Sequence, residues 1–483
     1  MSRLPSSVPA AAGPIIADFH SPHSPISTAT TTLATLPDGA DVEKFSSADD
    51  KDAHALGDAE RAGSDGAPPA APAAAPPFPD GGRRAYLNTA GGVLVLFCTF
   101  GLSNSWAAFQ AELRQNQLKD IPPSSIAWIG SVQLFILFLL GLPSGRLFDQ
   151  GWFRWQLAGG SVLWIFGMFM FSLSKTYYQL FLSYAVCMGI ALGIVFPSTL
   201  ACVGSYFQKK RTVMMGFTAA GAALGAVVFP IMANHLFASH GFAFGIRAIT
   251  YIHVGLLFLA NILMRPRNDI PPRTPEPAIP LILSFLRQPQ TWFACAGCAF
   301  VMLGMFIPIF YVQVFMQDHG ASPVVVQYAA AILNAAACVA RLTVGFAGDR
   351  FGNLTVALPV TTIIGAMIFA MLGATNTGGA IAFCVVFGAA SGAWVTIMAP
   401  SLISLSSSVR EFGVRAGLGF IFVSVASLIG SPVAGAILRA TPNGGGTDYT
   451  GVCAFGGCAV LVGTGLLAAA RAMEVKRRGT WRV

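Results

Sequence analysis

Between Tyr86 and Ala470 the chain is a series of apolar runs, each about 20 residues long, the length a helix needs to cross a hydrocarbon layer about 30 Å thick. Twelve can be counted: Leu87 to Phe109, Ile126 to Pro143, Gln156 to Leu173, Tyr178 to Val203, Met214 to Leu236, Phe244 to Met264, Thr291 to Phe315, Val324 to Gly345, Leu354 to Leu372, Ala380 to Leu402, Ala416 to Ala440 and Tyr449 to Ala470. With 54% of its 483 residues hydrophobic and 10% charged, the chain belongs in a bilayer rather than in solution. Its formal charge of +8 does not point to nucleic acid, because the bases are scattered as pairs and triplets between apolar runs. The nine cysteines fall inside or at the ends of those runs, where a thiol packs as a small hydrophobe. Even Cys295-Ala-Gly-Cys298, spaced like a metal or redox pair, has no nearby histidine or acid, so neither a metal nor a cofactor is expected.

A charged segment interrupts this pattern twice. Gly145-Arg146-Leu-Phe-Asp149-Gln-Gly151-Trp-Phe-Arg154 ends the second run, and Gly345-Phe-Ala-Gly-Asp349-Arg350-Phe-Gly352 ends the eighth, 200 positions on (345 − 145 and 349 − 149). A charged turn repeated at half the length of an apolar chain predicts a duplication, with two six-helix halves related by an axis along the membrane normal. Pro197-Ser198 in span four is echoed by Pro400-Ser401 in span ten, each after two glycines (Gly189, Gly193; Gly388, Gly392) that let neighbouring helices approach closely.

Placing the N-terminus inside puts roughly 19 Lys/Arg on the cytosolic side against roughly 5 on the other, a positive-inside bias that makes both termini cytosolic. The predicted organisation is a disordered cytosolic tail (1–82), a six-helix bundle (83–264), a linker with an interfacial helix (265–290), a second bundle (291–471) and a cytosolic tail (472–483).

Asp149 and Asp349 stand at the inner, C-terminal ends of their helices, where the macrodipole disfavours a carboxylate. Each therefore needs an outside partner. Pairing one with the start of span eleven and the other with the start of span five, with Arg146 and Arg350 beside them, makes an inner gate between the halves; the alternative is a solvated turn charge. Arg341 is the fixed charge inside an apolar span, and no acid in any span neutralises it. Burial of an arginine costs about 2.5–3.5 kcal/mol on insertion scales, so it faces an anionic ligand or is satisfied by snorkelling, by backbone carbonyls or by Asn334. Asn104, Asn334 and Tyr311 are candidate cavity linings, as are Trp106, Phe306, Phe310 and Trp394. His253 is a candidate for proton coupling, against the alternative of a packing histidine.

These residues resemble the major facilitator superfamily and, more narrowly, its monocarboxylate-porter branch in fungi. The two Gly-x-x-x-Asp segments are superfamily marks, whereas Pro79-Asp80-Gly81-Gly82, Ser103-Asn104-Ser105, Phe109-Gln110 and Ser124-Ser-Ile-Ala-Trp128-Ile-Gly130-Ser-Val-Gln133 are similar to that branch. The resemblance implies two six-helix bundles around a cavity open to each side in turn, often with proton-linked carriage of small organic acids. Animal porters carry a lysine where Asn104 stands and an aspartate where Ala337 stands, so their proton relay does not carry over, while an anion site on Arg341 does.

The expectation is a secondary transporter in the cell membrane, working as a monomer on a small organic anion or metabolite, driven by a proton or substrate gradient. No ATP-binding Gly-x-x-x-x-Gly-Lys-Ser/Thr loop is present. Export of a larger, mostly apolar secondary metabolite is the nearest alternative, with Arg341 then structural. A non-transporting sensor would want a long cytosolic domain, and a membrane enzyme a His/Asp or metal-ligand cluster that is not seen.

Overall fold

The computed structural model describes residues 80–208, 210–267, 278–406, 412–440, 442–443 and 446–481. The expected N-terminal tail up to residue 79, the middle of the proline-rich linker, Lys209 and Arg410 lie outside the described residues. Twelve helices are long and apolar enough to cross a membrane: Arg83–Asn104, Ser125–Asp149, Phe153–Leu173, Tyr177–Gly204, Arg211–His240 and Phe242–Leu263, then Pro289–Asp318, Pro323–Phe351, Asn353–Gly373, Thr377–Ser404, Val414–Leu438 and Thr450–Arg478. They are numbered here as spans one to twelve. Because the count is even, span one starts and span twelve ends on the same face, called here the chain-end face. A short helix, Ala278–Leu286, precedes span seven, and a hairpin of two two-residue strands, Pro442–Asn443 and Gly446–Thr447, precedes span twelve.

Several helices outrun the sequence expectation. Span five has 30 residues, about 45 Å at ~1.5 Å per residue, so its ends pass beyond the hydrocarbon layer. The charged repeats were expected to be turns beginning at Gly145 and Gly345; instead both glycines are helical, and the chain turns at Gly151 (φ 87°) and Gly352 (φ 92°). At both the backbone enters the left-handed region that favours glycine. Span twelve likewise continues past Ala470 to Arg478, because Lys476, Arg477 and Arg478 complement the negative end of the helix dipole.

The matched glycines do what their spacing suggested. In the first half Gly189 and Gly193 of span four lie against Gln133, Ile136 and Leu140 of span two; in the second Gly388 and Gly392 of span ten lie against Leu333 and Ala337 of span eight. A β-carbon on Gly392 would stand 2.6 Å from the Ala337 Cα. Overpacking of this kind costs about 1–3 kcal/mol, so Gly392→Leu is expected to lower the melting temperature of the detergent-purified protein by several degrees. Gly159→Leu, where nothing lies within 4 Å, is expected to leave it unchanged.

Span one is broken at Thr99 and Ser105, whose hydroxyls donate back to the Val95 and Gly101 carbonyls (2.7 and 3.0 Å) and bend the helix. Span four opens into a π-helical turn over Phe181–Met188, and the Gln133 amide donates to the Tyr184 carbonyl within it (3.4 Å).

Candidate substrate cavity and inner seal

A narrow cavity lies between the two halves, walled by spans one, two, four and five on one side and seven, eight, ten and eleven on the other. Its wall is almost wholly apolar: Phe100, Phe138, Phe196, Phe306, Phe420, Met215, Met302 and Met398 contribute, and only Arg341 and Thr396 are polar. Phe138 of span two meets Phe420 of span eleven with ring centroids 5.7 Å apart, a contact across the halves. Aromatic rings and methionines make an adaptable, water-poor surface, suited to a bulky apolar solute.

Arg341 is 4% exposed, and its Nη1 donates to the Ala219 carbonyl of span five at 2.8 Å. The guanidinium therefore spans the two halves while lining the cavity. One guanidinium nitrogen is thus met by a backbone carbonyl, while the buried Nε has no partner among the described residues. Asn334 does not take part: it donates to Ala330 of its own helix at 2.8 Å. None of Asn104, Asn334 and Tyr311 lines this cavity. Asn104 sits at the break in span one, and Tyr311 packs beside Ile307, Ala434 and Val452. Phe306 lines the cavity with Phe310 stacked on it, whereas Trp106 and Trp394 are buried in helix packing.

His253 is fully buried inside the first half. Trp164 Nε1 donates to its Nδ1 at 3.5 Å and Phe229 lies edge-on at 4.8 Å, so the ring proton sits on Nε2. The packing alternative fits this setting.

From the level of the cavity down to the chain-end face, span eight closes on span five. A β-carbon on Gly216 would meet the Arg341 carbonyl oxygen at 2.5 Å, Cys338 Sγ donates to the Ala220 carbonyl at 3.7 Å, and Gly345 packs on Thr212 and Val213. The Asp349 carboxylate accepts from the Thr212 hydroxyl and the Val213 N–H, at the positive N-terminus of span five. Of the two helix starts named from the sequence, span five is the one beside Asp349. On the other side of the axis, Gly141 packs on Phe420 and Leu142 on Gly417, so span two closes on span eleven. The repeats are not equivalent, however: a β-carbon on Gly145 meets nothing within 4 Å, while one on Gly345 is 3.1 Å from Thr212 and Val213 backbone. Asp149 and Arg146 are exposed, and Arg350 lies over the Phe351 ring at 5.4 Å.

Sequence reasoning missed a second buried arginine. Counted as a loop charge, Arg415 is 1% exposed; its guanidinium donates to the Leu405 carbonyl (2.7 Å) and Gln288 Oε1 (3.0 Å) and stacks 4.2 Å over Phe285. Its position at the start of span eleven, facing a helix set by the linker, is a tertiary fact that local composition does not carry. Apart from Phe306, the apolar cavity residues were missed for the opposite reason: phenylalanine and methionine look the same in a sequence whether they face lipid, core or solute.

Twelve helices in two halves, closed on one face around a central cavity, define a membrane transporter rather than an enzyme. The Major Facilitator Superfamily model matches residues 91–431, and the chain belongs to that family. It is 36% identical to an MFS transporter, asaE, of Aspergillus flavus over 81% of this chain and 88% of that one. It is 34% identical to the Fujikurins efflux protein of Gibberella fujikuroi (83% and 85% covered) and 35% identical to the Aspyridones efflux protein apdF of Emericella nidulans (77% and 75%). The crystal structure of the nucleoside transporter NupG matches its fold with a TM-score of 0.60 at 14% identity, covering 79% of this chain and 99% of that one.

Proposed function

We propose that this protein exports a bulky, largely apolar metabolite by alternating access, with the chain-end face in the cytosol and the other face outside the cell. The observation that carries the reading is the wall of the central cavity, where five phenylalanines and three methionines surround a lone cation. Two of the relatives above are named as efflux proteins for fujikurins and aspyridones, which supports cargo of this kind. The lysine and arginine excess on the chain-end face supports its assignment to the cytosol. The sequence had put a small organic acid first and metabolite export second; the apolar wall and the relatives' names favour the second.

In this reading Asp349 on span five, and Asp149 with Arg146 and Arg350 at the matching ends, form the inner gate that opens to load cargo. Each turnover breaks the Arg341–Ala219 hydrogen bond and remakes it. A single chain suffices, because both halves of the cavity lie in it.

The small-acid reading of the porter branch keeps one observation in its favour, the cavity guanidinium, and a single variant separates the two. Losing a hydrogen bond to a charged group costs about 1.5–3 kcal/mol, roughly ten- to a hundredfold in affinity. Arg341→Ala is therefore expected to leave export of a large apolar cargo within about threefold of wild type, since ring contacts supply most of its binding. Flux of a small monocarboxylate such as lactate in proteoliposomes would fall at least tenfold if that acid were the substrate. The parent experiment is metabolite profiling of medium and cells after gene deletion. Accumulation of an apolar metabolite inside the deletion strain supports export, and an unchanged distribution of every metabolite overturns it.

A further inference from the structure

Spans two and eleven, with spans five and eight, are the helix pairs that join the two halves most extensively. Toward the chain-end face their seam is fixed by Leu142 against Gly417, Gly141 against Phe420 and the Phe138–Phe420 ring pair. The seam continues past those rings toward the far face. Helical spacing puts Ser131 and Ala127 on the same side of span two as Phe138 and Leu142, and Ser424 and Ser427 on the same side of span eleven as Gly417 and Phe420. The two helices run in opposite directions. Carried seven residues outward on each, about two turns, the register of the ring pair sets Ser131 opposite Ser427.

Ser131 is fully buried and Ser427 is 3% exposed, yet neither hydroxyl has a hydrogen-bond partner among the described residues. Their neighbour behaves differently, because the Ser424 hydroxyl donates to the Ile421 carbonyl at 2.7 Å, as helical serines commonly do. A hydroxyl buried without a partner loses its hydration uncompensated and recovers it when the helices part. Closure at this level is therefore opposed by two stranded hydroxyls. The seal between spans five and eight is of another kind, fastened by the hydrogen bonds from Arg341 and to Asp349.

We propose that Ser131 and Ser427 form the outer gate of the transport path, shut by packing in this structure and opened by hydration of the two hydroxyls. The inference rests on the alternating-access reading for its role. It adds the place where cargo leaves, between spans two and eleven, two turns beyond the rings that line the cavity. Its consequence has a definite sign: deleting the hydroxyls keeps the gate shut.

The reporter is Ala127→Cys, one turn beyond Ser131 on the same helix face and 9% exposed, in full-length protein carrying Cys458→Ser and held in phosphatidylcholine nanodiscs. Modification at residue 127 by sulfonatoethyl methanethiosulfonate, read by peptide mass, measures how often the seam opens. Ser131→Ala combined with Ser427→Ala is expected to slow it about tenfold, because the closed seam no longer strands two polar groups. Ser424→Ala, which removes a hydroxyl satisfied within its own helix, should leave the rate within about twofold. Gly216→Leu, which wedges the inner seal apart, should also slow it, since the two faces do not open together. Independently, Ser131→Cys with Ser427→Cys should become disulfide-linked under copper phenanthroline.

Absence of the linked peptide, no modification of Ala127→Cys in the otherwise unaltered protein, or an unchanged rate in the double alanine variant would each overturn the proposal. So would faster modification in Gly216→Leu, which would make this seam open together with the inner face. Should the double alanine variant not fold, the cross-link and the Gly216→Leu comparison still decide. If they fail while the deletion strain retains an apolar metabolite, the gate is lost and the exporter reading stands. If the seam opens in alternation with the inner face yet every metabolite is distributed as before, the exporter reading falls and the gate remains.

Discussion

Gly216→Leu is expected to abolish transport and leave the protein open on its chain-end face. The β-carbon alone would stand 2.5 Å from the Arg341 carbonyl oxygen, a backbone atom that no side-chain rotation can move. Span five must then back away from span eight. The same seam carries the Arg341–Ala219 hydrogen bond, the Cys338–Ala220 contact and the grip of Asp349 on Thr212 and Val213. Overpacking at about 1–3 kcal/mol, together with loss of a charge-assisted hydrogen bond at about 1.5–3 kcal/mol, exceeds the ~1.4 kcal/mol that shifts a two-state equilibrium tenfold. The measurement is alkylation of Cys338, half-buried in this seam, by a maleimide in purified protein. It should rise about tenfold or more in Gly216→Leu. Gly145→Leu, in open space, is the control and should behave as wild type. If Gly216→Leu transports normally, the seam is not part of the transport cycle.

Arg415→Ala is expected to have the largest effect on stability. Removing one partner from a buried charged network costs about 3–5 kcal/mol, because the groups left behind lose their hydrogen bonds without regaining water. Here the Leu405 carbonyl would keep only a long contact from Arg477 (3.4 Å) and Gln288 Oε1 only one from Gln290 (3.5 Å), and the Phe285 ring would lose the cation above it. Leu405, Gln288 and Phe285 belong to the end of span ten, the start of span seven and the linker helix, so their common fastening is lost together. Arg415→Lys should rescue little, since a point charge on a flexible stem cannot donate to two acceptors and stack on a ring at once. Fluorescence-detected size exclusion across a temperature ramp reads the outcome. A melting temperature within a degree of wild type for Arg415→Ala would show that the network adds nothing.

Particular residues show how far the sequence can be read. Twelve spans, the duplication and the close approach at Gly189, Gly193, Gly388 and Gly392 follow from apolar run length and small-residue spacing, which are local properties in a bilayer. Arg341 was legible as an anomaly because a fixed charge in an apolar run must be answered by something. What answers it, the Ala219 carbonyl of the other half, was not legible, since a backbone acceptor is chemically the same at every position. Asp149 and Asp349 looked identical in the repeat, yet among the described residues span five crowds Gly345 while Gly145 stands in open space.

By itself, then, the sequence determined a membrane-spanning bundle in two six-helix halves, the matched glycine contacts within each, and a lone charge in span eight that demanded a partner. Only the tertiary structure decided that the cavity is aromatic, that Arg341 bridges the halves and that Arg415 is buried. The physical reason is one of range. Run length and helix-end chemistry act between residues a few positions apart, whereas the wall of a cavity is assembled from eight helices whose shared depth no local pattern encodes.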